Sequence, residues 1–348
     1  MNRQDLVAKL EMANLALAKD ALVPMLQCFQ FTKKNVVATN DQVGVTIACT
    51  TEDSFAVNGK ILLELLQNSR AEDVDLSLVD HDLVVKTGKS VFKLPYLPED
   101  DFLIPGSGKT SPLFSLPITD ELLTGIKACL MTASNDATQP ALMGVTIHHD
   151  KKNIQFCSCD GDAVTRFTTD AKPSKHPDIM LPNGFCEALV KVAATTGLGQ
   201  NAQLVVDSGW AKASLSGGYI VRGRIIENDN PLNHDDVIKK TLKGEQKYVK
   251  LPDTLADALS RAVVVAKAES AKTVLTVEGG KLKLLTETHM GVVRDSVPLS
   301  GHPDVTAEVS AELMQRTIAI CDEIAITDRC VAYRSGETLF QIISNITK

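Results

Sequence analysis

The pattern that organises this chain is Leu181-Pro182-Asn183-Gly184-Phe185-Cys186-Glu187-Ala188-Leu189-Val190-Lys191-Val192. An apolar residue ends a strand, a short polar or small patch follows, and a helix then begins. The same outline starts at Val57 and again at Val309. Asn and Ser are natural N-cap residues, so each patch predicts a helix start. The three patches are Asn58-Gly59, Asn183-Gly184 and Ser310-Ala311.

Each of these helices is predicted to bury one face. Apolar residues lie four, five and nine positions after the start of each copy, as the helical period requires. They are Ile61, Phe185 and Leu313, then Leu62, Cys186 and Met314, then Leu66, Val190 and Ile318. Successive copies are 124 and 128 residues apart, which is the size of a domain. The sequence therefore predicts three similar domains, at residues 1–110, 111–244 and 245–348.

Each predicted domain has two halves, and each half combines a helix with short antiparallel strands. The first helices are predicted at residues 5–18, 119–133 and 254–267. Short alternating segments with polar turns follow them, for example at residues 143–148, 154–159 and 163–169. Residues 227–245 are predicted to be a polar connection. The expected fold class is α+β, with six helix-plus-meander halves in three tandem domains.

Composition excludes several classes of protein. The chain has 348 residues, of which 44% are apolar, so it can bury a sizeable core. No apolar run approaches the roughly 18 residues that a membrane span needs, and the N-terminus has no signal-peptide pattern. The eight cysteines lack the spacing of a disulfide framework, which favours the cytoplasm. The net charge of −7 discourages a wholly basic nucleic-acid coat but permits a local basic lining.

A nucleotide-binding motif is suggested by Gly108-Lys109-Thr110. A phosphate-binding loop also needs a glycine five residues before the Gly-Lys pair, a strand before it and a helix after it. Leu103 stands at the glycine position, and Pro112 follows where the helix should begin. The segment is therefore better explained as a linker, and nucleotide-dependent enzyme activity is kept only as a remote alternative.

Metal-binding and catalytic patterns are weak. Cys157 and Cys159 have no second pair at zinc spacing, and alternate positions of one strand explain them better. Asp160-Gly161-Asp162 lacks the remaining acids of a calcium loop. The pair His148-His149 precedes a polar turn, and no nucleophile signature accompanies the other histidines. We therefore expect no catalytic residues, no metal and no cofactor.

The repeated halves resemble the bacterial sliding clamp family, the DNA polymerase III beta subunits. Lys93-Leu94-Pro95-Tyr96-Leu97-Pro98-Glu99-Asp100-Asp101-Phe102 is similar to the end of the first domain of that family. Cys159-Asp160-Gly161 lies where the family has Thr-Asp-Gly, and Met180-Leu181-Pro182 where it has Val-Pro before a helix. The differences suggest a divergent member, such as a phage-encoded one.

The resemblance implies a head-to-tail homodimer that closes into a six-domain ring around double-stranded DNA. Helices would line the hole, and their basic side chains would meet phosphates without reading bases. The helix dipole alone would also favour basic residues near helix ends, so each assignment has an ordinary structural alternative. The candidate lining residues are Lys9, Lys60, Arg70, Lys127, Lys191, Arg261, Lys267 and Arg316.

The resemblance also implies a hydrophobic cleft where the polymerase and the clamp loader dock short peptides. Leu142, Val164 and Leu313 could equally be ordinary core. The chain has Asp162-Ala163 where the family has His-Arg, and its C-terminus differs from the family ending. Transfer by position gives the cleft residues Leu142, Cys159, Gly161, Val164, Pro231, Val237, Leu313, Cys330, Ala332, Ile342 and Ile343.

The expected function is therefore that of a non-catalytic processivity factor. It would encircle DNA and tether the replicative polymerase through the cleft, in the cytoplasm at the nucleoid and away from membranes. A clamp-like scaffold that serves transcription or repair proteins is the nearer alternative.

Overall fold

The computed structural model describes residues 1–103, 106, 111–136, 138–150, 152–172, 178–227, 232–269 and 271–344. The chain divides into two compact units. The first contains Met1–Leu123 and Leu181–Ile226, and the second contains Thr124–Met180 and Glu227–Lys348. The motif Gly108-Lys109-Thr110 and the predicted cleft residue Pro231 lie outside the described residues.

Seven α-helices and 23 strands are found in the described parts of the chain. The helices are α1 (Arg3–Ala13), α2 (Gly59–Gln67), α3 (Asp120–Leu130), α4 (Asn183–Thr196), α5 (His234–Thr241), α6 (Leu255–Ala266) and α7 (Ala311–Ile318). The first twelve strands are β1 (Cys28–Phe31), β2 (Asn35–Thr39), β3 (Val43–Ala48), β4 (Phe55–Asn58), β5 (Asp75–Val79), β6 (Asp82–Thr87), β7 (Ser90–Leu97), β8 (Phe114–Pro117), β9 (Val145–His149), β10 (Ile154–Cys159), β11 (Ala163–Thr168) and β12 (Ile179–Leu181). The others are β13 (Gln203–Val206), β14 (Trp210–Ser214), β15 (Ile220–Arg224), β16 (Val249–Lys250), β17 (Thr273–Glu278), β18 (Lys281–Thr288), β19 (Gly291–Pro298), β20 (Val305–Val309), β21 (Glu323–Ile326), β22 (Cys330–Ser335) and β23 (Leu339–Ser344).

The first unit is built on one eleven-stranded sheet. Its order is β5-β6-β7-β4-β1-β2-β3-β15-β14-β13-β8. Helix α1 packs against α2, α4 and strand β3, so these helices share one face of the sheet. The rings of Phe31 and Phe55 stack below them with centroids 4.8 Å apart. Burial of such aromatic rings is a large part of the free energy that holds a helical layer on a sheet.

The second unit contains two sheets. Eight strands follow the order β12-β9-β10-β11-β23-β22-β21-β16, and four follow β19-β18-β17-β20. Helix α6 packs against α7 and covers β18 and β19. Because side chains alternate along a strand, each sheet presents two different faces. In the eight-stranded sheet, Phe156 and Cys157 of β10 therefore point in opposite directions.

The repeated strand–helix pattern is largely confirmed. Asn58 accepts a hydrogen bond from the amide of Ile61 at 3.0 Å, and Ser310 Oγ accepts one from Leu313 at 3.3 Å. The predicted cap at Asn183 is wrong, because Pro182 occupies the cap position and Asn183 is the first helical residue. No side chain caps this helix, and Pro182 has the extended backbone conformation of an N-cap residue.

Of the three positions predicted to be buried, the middle one is buried in all three copies, and Leu66 and Phe185 are buried as well. Val190, Leu313 and Ile318 are half-buried. Leu62, Cys186 and Met314 are all fully buried. Ile61, predicted to be buried, is 47% exposed. The buried stripe of α2 is thus centred on Leu62 and Leu66, and Ile61 lies at its margin.

The polar connection predicted at residues 227–245 contains a helix that the sequence pattern did not indicate. Helix α5 lies within it and begins at the N-cap Asn233, whose Oδ1 accepts from the amide of Asp236 at 3.1 Å. The helix carries acids in its first turn and lysines in its last, as the helix dipole favours. This short helix builds part of the candidate site.

The α+β class is confirmed, and the sheets contain antiparallel pairs such as β10 with β11 and β17 with β18. The sheets cross the predicted domain boundaries, because β15 pairs with β3 and β23 pairs with β11. The two compact units follow these pairings, so the three-domain division stays a prediction. None of the helices in the described part is long and apolar enough to cross a membrane.

Candidate functional site

An apolar cluster lies on one face of the eight-stranded sheet of the second unit. Strand register brings its members together, since Cys159 is opposite Val164, Val164 is opposite Ile342, and Ile342 is opposite Ala332. We call this set the apolar cluster. Its buried members are Cys159, Val164, Ile238, Cys330, Ala332 and Ile342, and its partly buried members are Leu142, Leu232, Leu242, Tyr248 and Phe340.

The apolar cluster is covered only in part. Helix α5 packs on β10 and β11 and contributes Ile238 to the cluster. Leu142, Leu232 and Phe340 stay partly accessible at the rim. A buried floor with half-exposed apolar side chains around it is the usual form of a site that takes apolar ligand groups.

An ion pair fastens α5 to the sheet beside the apolar cluster. Arg166 of β11 donates from Nη1 to Asp235 Oδ1 at 2.7 Å. The guanidinium carbon of Arg166 also lies 5.5 Å from the ring centroid of Phe340, within the range of a cation–π contact. From its position on β11, Arg166 therefore contacts both the first turn of α5 and strand β23.

A polar cavity of about 230 Å³ adjoins the N-terminal end of α5. His148 Nδ1 lies 2.9 Å from both carboxylate oxygens of Asp178. His234 is only 7% exposed, and burial lowers the pKa of its imidazole to about 4, so the ring is neutral at physiological pH. The cavity is lined by His148, Gln155, Cys157, Asp178, Leu232, Asn233, His234 and Asp235.

The cysteines of this region act as small apolar groups. Burial raises the pKa of the thiols of Cys157, Cys159 and Cys330, so all three stay protonated at neutral pH. The thiolate is the form that binds metal or attacks an electrophile. Within the described residues, no group of three or more histidine, cysteine or acidic side chains is arranged to hold a metal ion.

The structure brings six of the predicted cleft residues together. Gly161 lies in the turn after β10, where its amide donates to Cys159 Sγ at 3.4 Å, and Val237 neighbours Ile238 on α5. Ile343 is fully buried but follows Ile342 in its strand, so its side chain points to the opposite face of the sheet. Leu313 lies on α7, outside the apolar cluster. The six residues in the cluster are Leu142, Cys159, Val164, Cys330, Ala332 and Ile342.

Sequence reasoning missed five members of the apolar cluster and the ion pair beside it. The supposed polar connection gave little signal, because Leu232 lies six residues before Ile238 and only the four-residue interval from Ile238 to Leu242 matches a helix. Tyr248 and Phe340 gave no such signal. The position of Arg166 opposite α5 depends on tertiary packing alone.

Seven of the predicted DNA-lining residues lie on helices or at a helix C-cap, and their surroundings differ. The eighth, Arg70, was expected on a helix but lies three residues beyond the end of α2. Lys9 is paired with Asp5 at 2.8 Å, Arg261 with Asp295 at 2.6 Å, and Arg316 with Glu312 at 2.5 Å. The negative charge of the acidic partner weakens the electrostatic attraction between each of these basic side chains and a DNA phosphate. The other five are exposed and have no ion pair with any described residue: Lys60, Arg70, Lys127, Lys191 and Lys267.

Solved structures of sliding clamps match this chain over its whole length. The DNA polymerase III beta subunit of Thermotoga maritima is 18% identical, with a TM-score of 0.83 over 100% of this chain and 98% of that one. The sliding clamp of Bartonella birtlesii bound to griselimycin is 17% identical, with a TM-score of 0.87 and the same coverage. The Bacillus subtilis DNA polymerase sliding clamp is 14% identical, with a TM-score of 0.83.

No protein-family model matches this chain, and no curated protein sequence matches it significantly. The resemblance inferred from the repeated halves is nevertheless confirmed at the level of the fold. This chain has the fold of the bacterial DNA polymerase III beta subunits, the sliding clamps.

Proposed function

We propose that this protein is a DNA sliding clamp, a non-catalytic factor that encircles duplex DNA and tethers a polymerase. The observation that carries the proposal is the match in fold to sliding clamps over 100% of the chain. A ring holds DNA by topology, so the net charge of −7 is compatible with this function. Binding should then be non-specific and depend on salt.

The apolar cluster is the proposed docking site for peptide segments of the polymerase and the clamp loader. Its buried floor and half-exposed rim suit apolar anchor residues of a short peptide. Tethering through such a site raises the effective concentration of the polymerase at the DNA end, so dissociation is followed by rapid rebinding. The Bartonella birtlesii sliding clamp, which has this fold, was solved bound to griselimycin.

A second copy of the chain is the proposed occupant of two open sheet edges. Strand β19 is at the end of its sheet, and residues 90–95 of β7 pair only with β6 among the described strands. Exposed apolar side chains lie near both edges. Val264 is 74% exposed and Met290 69% in the second unit, and Val91 and Ile61 are exposed in the first. Head-to-tail pairing of β7 with β19 of another copy would cover both edges and both apolar sets.

The ring proposal is tested by mass and by topology together. Light scattering should give about twice the chain mass of 37.5 kDa. Once loaded on nicked circular DNA, the protein should stay bound, and it should be lost when the circle is cut. A monomer, or retention that ignores DNA ends, would overturn the ring and leave a clamp-like scaffold as the better interpretation.

The docking site is tested separately with griselimycin as the probe. Calorimetric titration should show binding to the wild-type protein and at least tenfold weaker binding to Leu142→Asp, because a charge is placed at the apolar rim. Leu22→Asp is the matched control, since Leu22 is fully exposed and remote in sequence from the cluster. Equal binding by Leu142→Asp would place the docking site elsewhere.

A further inference from the structure

The polar cavity beside α5 adjoins the apolar cluster. Leu232 lines the cavity and also packs against the cluster. Asp235 lines the cavity, and its partner Arg166 lies over Phe340 of the cluster. A bound peptide that places apolar side chains on the apolar cluster can therefore place a neighbouring side chain in the cavity.

The charges of the cavity favour a cation. Its two carboxylates belong to Asp178 and Asp235, and Arg166 is already bound to Asp235. His234 carries no charge at neutral pH. Within the described residues, the carboxylate of Asp178 is in contact with the imidazole of His148 and with no lysine or arginine side chain. The positive end of α5 is already met by the Asn233 cap and by Asp235 and Asp236.

The cavity is also the right size and is accessible. Its volume of about 230 Å³ is smaller than the roughly 300 Å³ at which pockets for drug-sized ligands begin, so a single side chain fits it better than a separate ligand. The Asp178 side chain is 24% exposed and that of His148 39%, so an entering group can reach the carboxylate. Gln155 and Asn233 supply further polar groups to such a guest.

We propose that this cavity receives a lysine or arginine side chain of the same peptide whose apolar residues occupy the apolar cluster, with Asp178 as its main acceptor. The inference rests on the proposed function, because it requires that the cluster binds peptides. It adds a charge preference to a site otherwise defined by apolar contacts. Specificity of this kind comes from a polar group of the site that only the correct side chain satisfies.

The test selects random displayed peptides on immobilised wild-type protein, Asp178→Asn and Leu142→Asp. Peptides enriched on the wild type should share apolar residues and carry lysine or arginine at a fixed distance from them. On Asp178→Asn the apolar residues should remain enriched, and the basic residue should fall to its frequency in the library. Asp162→Asn is the matched control, since this exposed carboxylate lies outside the cavity and its loss should change nothing.

The affinity of one selected peptide then measures how much its basic residue contributes to binding. Replacing its basic residue by methionine should weaken binding to the wild type about tenfold and leave binding to Asp178→Asn unchanged, as for loss of one charged hydrogen bond. An apolar consensus without a basic residue would overturn the cavity assignment alone. Failure to enrich any apolar consensus on the wild type would overturn the docking site itself, and the cavity assignment with it.

Discussion

His234 is a buried neutral histidine, and its burial ties stability to pH. Its pKa is about 4 in the folded chain, compared with 6.5 for an unperturbed histidine. In the unfolded chain this imidazole therefore binds a proton below about pH 6.5, whereas in the folded chain it does so only below about pH 4. The stabilisation is complete above pH 6.5 and is lost as the pH falls towards 4, and its full size is roughly 3 kcal/mol.

The change His234→Gln should reduce this pH dependence. Between about pH 7 and pH 4.5, urea denaturation should show the wild type losing roughly 2 kcal/mol more than the variant, because glutamine does not titrate. His81→Gln is the matched control, since His81 is exposed in the turn between β5 and β6. A variant as sensitive to acid as the wild type would show that other groups control the loss.

Individual residues of the candidate site show what could be predicted from the sequence and what could not. Leu142, Val164 and Ile342 could be placed by resemblance, because the order of strands around Cys159-Asp160-Gly161 fixes their neighbourhood. Ile343 could not be distinguished from Ile342, since both are apolar. A shift of one residue along a strand turns a side chain to the opposite face, and a resemblance carried over by position cannot resolve such a shift.

At the scale of an element, α5 is the part of the candidate site that the sequence hid. The only apolar residues of this eight-residue helix, Val237 and Ile238, are adjacent, so no apolar residue recurs at helical spacing within it. In the longer helices α2 and α4, apolar residues recur at helical spacing. Helix α5 depends on its contacts with β10 and β11 and on Arg166, because isolated helices of this length are unstable in water.

Removal of the ion pair should therefore loosen α5 while the sheet remains intact. In Arg166→Met, amide hydrogens of α5 should exchange faster and those of β10 should not. Griselimycin affinity should also fall several-fold, since Ile238 would no longer be held against the apolar cluster. Arg316→Met is the control, because its pair with Glu312 is exposed on one helix and pairs of that kind contribute only about 0.3–0.5 kcal/mol.

At the scale of the whole molecule, assembly should depend on the exposed apolar residues near the two open edges. Val264→Asp combined with Met290→Lys should convert a dimer into a monomer of 37.5 kDa by light scattering, because both changes place charge in the proposed interface. Leu22→Asp should leave the mass unchanged. A double variant that remains dimeric would show that copies associate through another surface.

DNA binding should distinguish unpaired basic residues from paired ones. Lys191→Ala should reduce the slope of log affinity against log salt by about one, as for loss of one phosphate contact. Arg316→Ala should change it less, because Glu312 already neutralises the guanidinium. The measurement is equilibrium binding to linear duplex DNA across a salt series, because a closed circle would retain the ring by topology whatever the salt concentration. Equal effects of the two changes would argue against a lining role that depends on unpaired charge.

The pairing of β3 with β15 has a consequence for synthesis on the ribosome. Thr46 accepts a hydrogen bond from Arg222, which follows it by 176 residues, and Gln341 donates to Thr165 across the same interval. Contacts between such distant segments form slowly, because the intervening chain must first be brought together. The sheet of the first unit cannot be completed until residue 226 has left the ribosome. By then residues 124–180 have also been synthesised, but the rest of the second unit, residues 227–348, has not. The nascent chain therefore exposes unfinished sheet edges through much of translation, and it should depend on chaperones more than a protein of three consecutively folding domains.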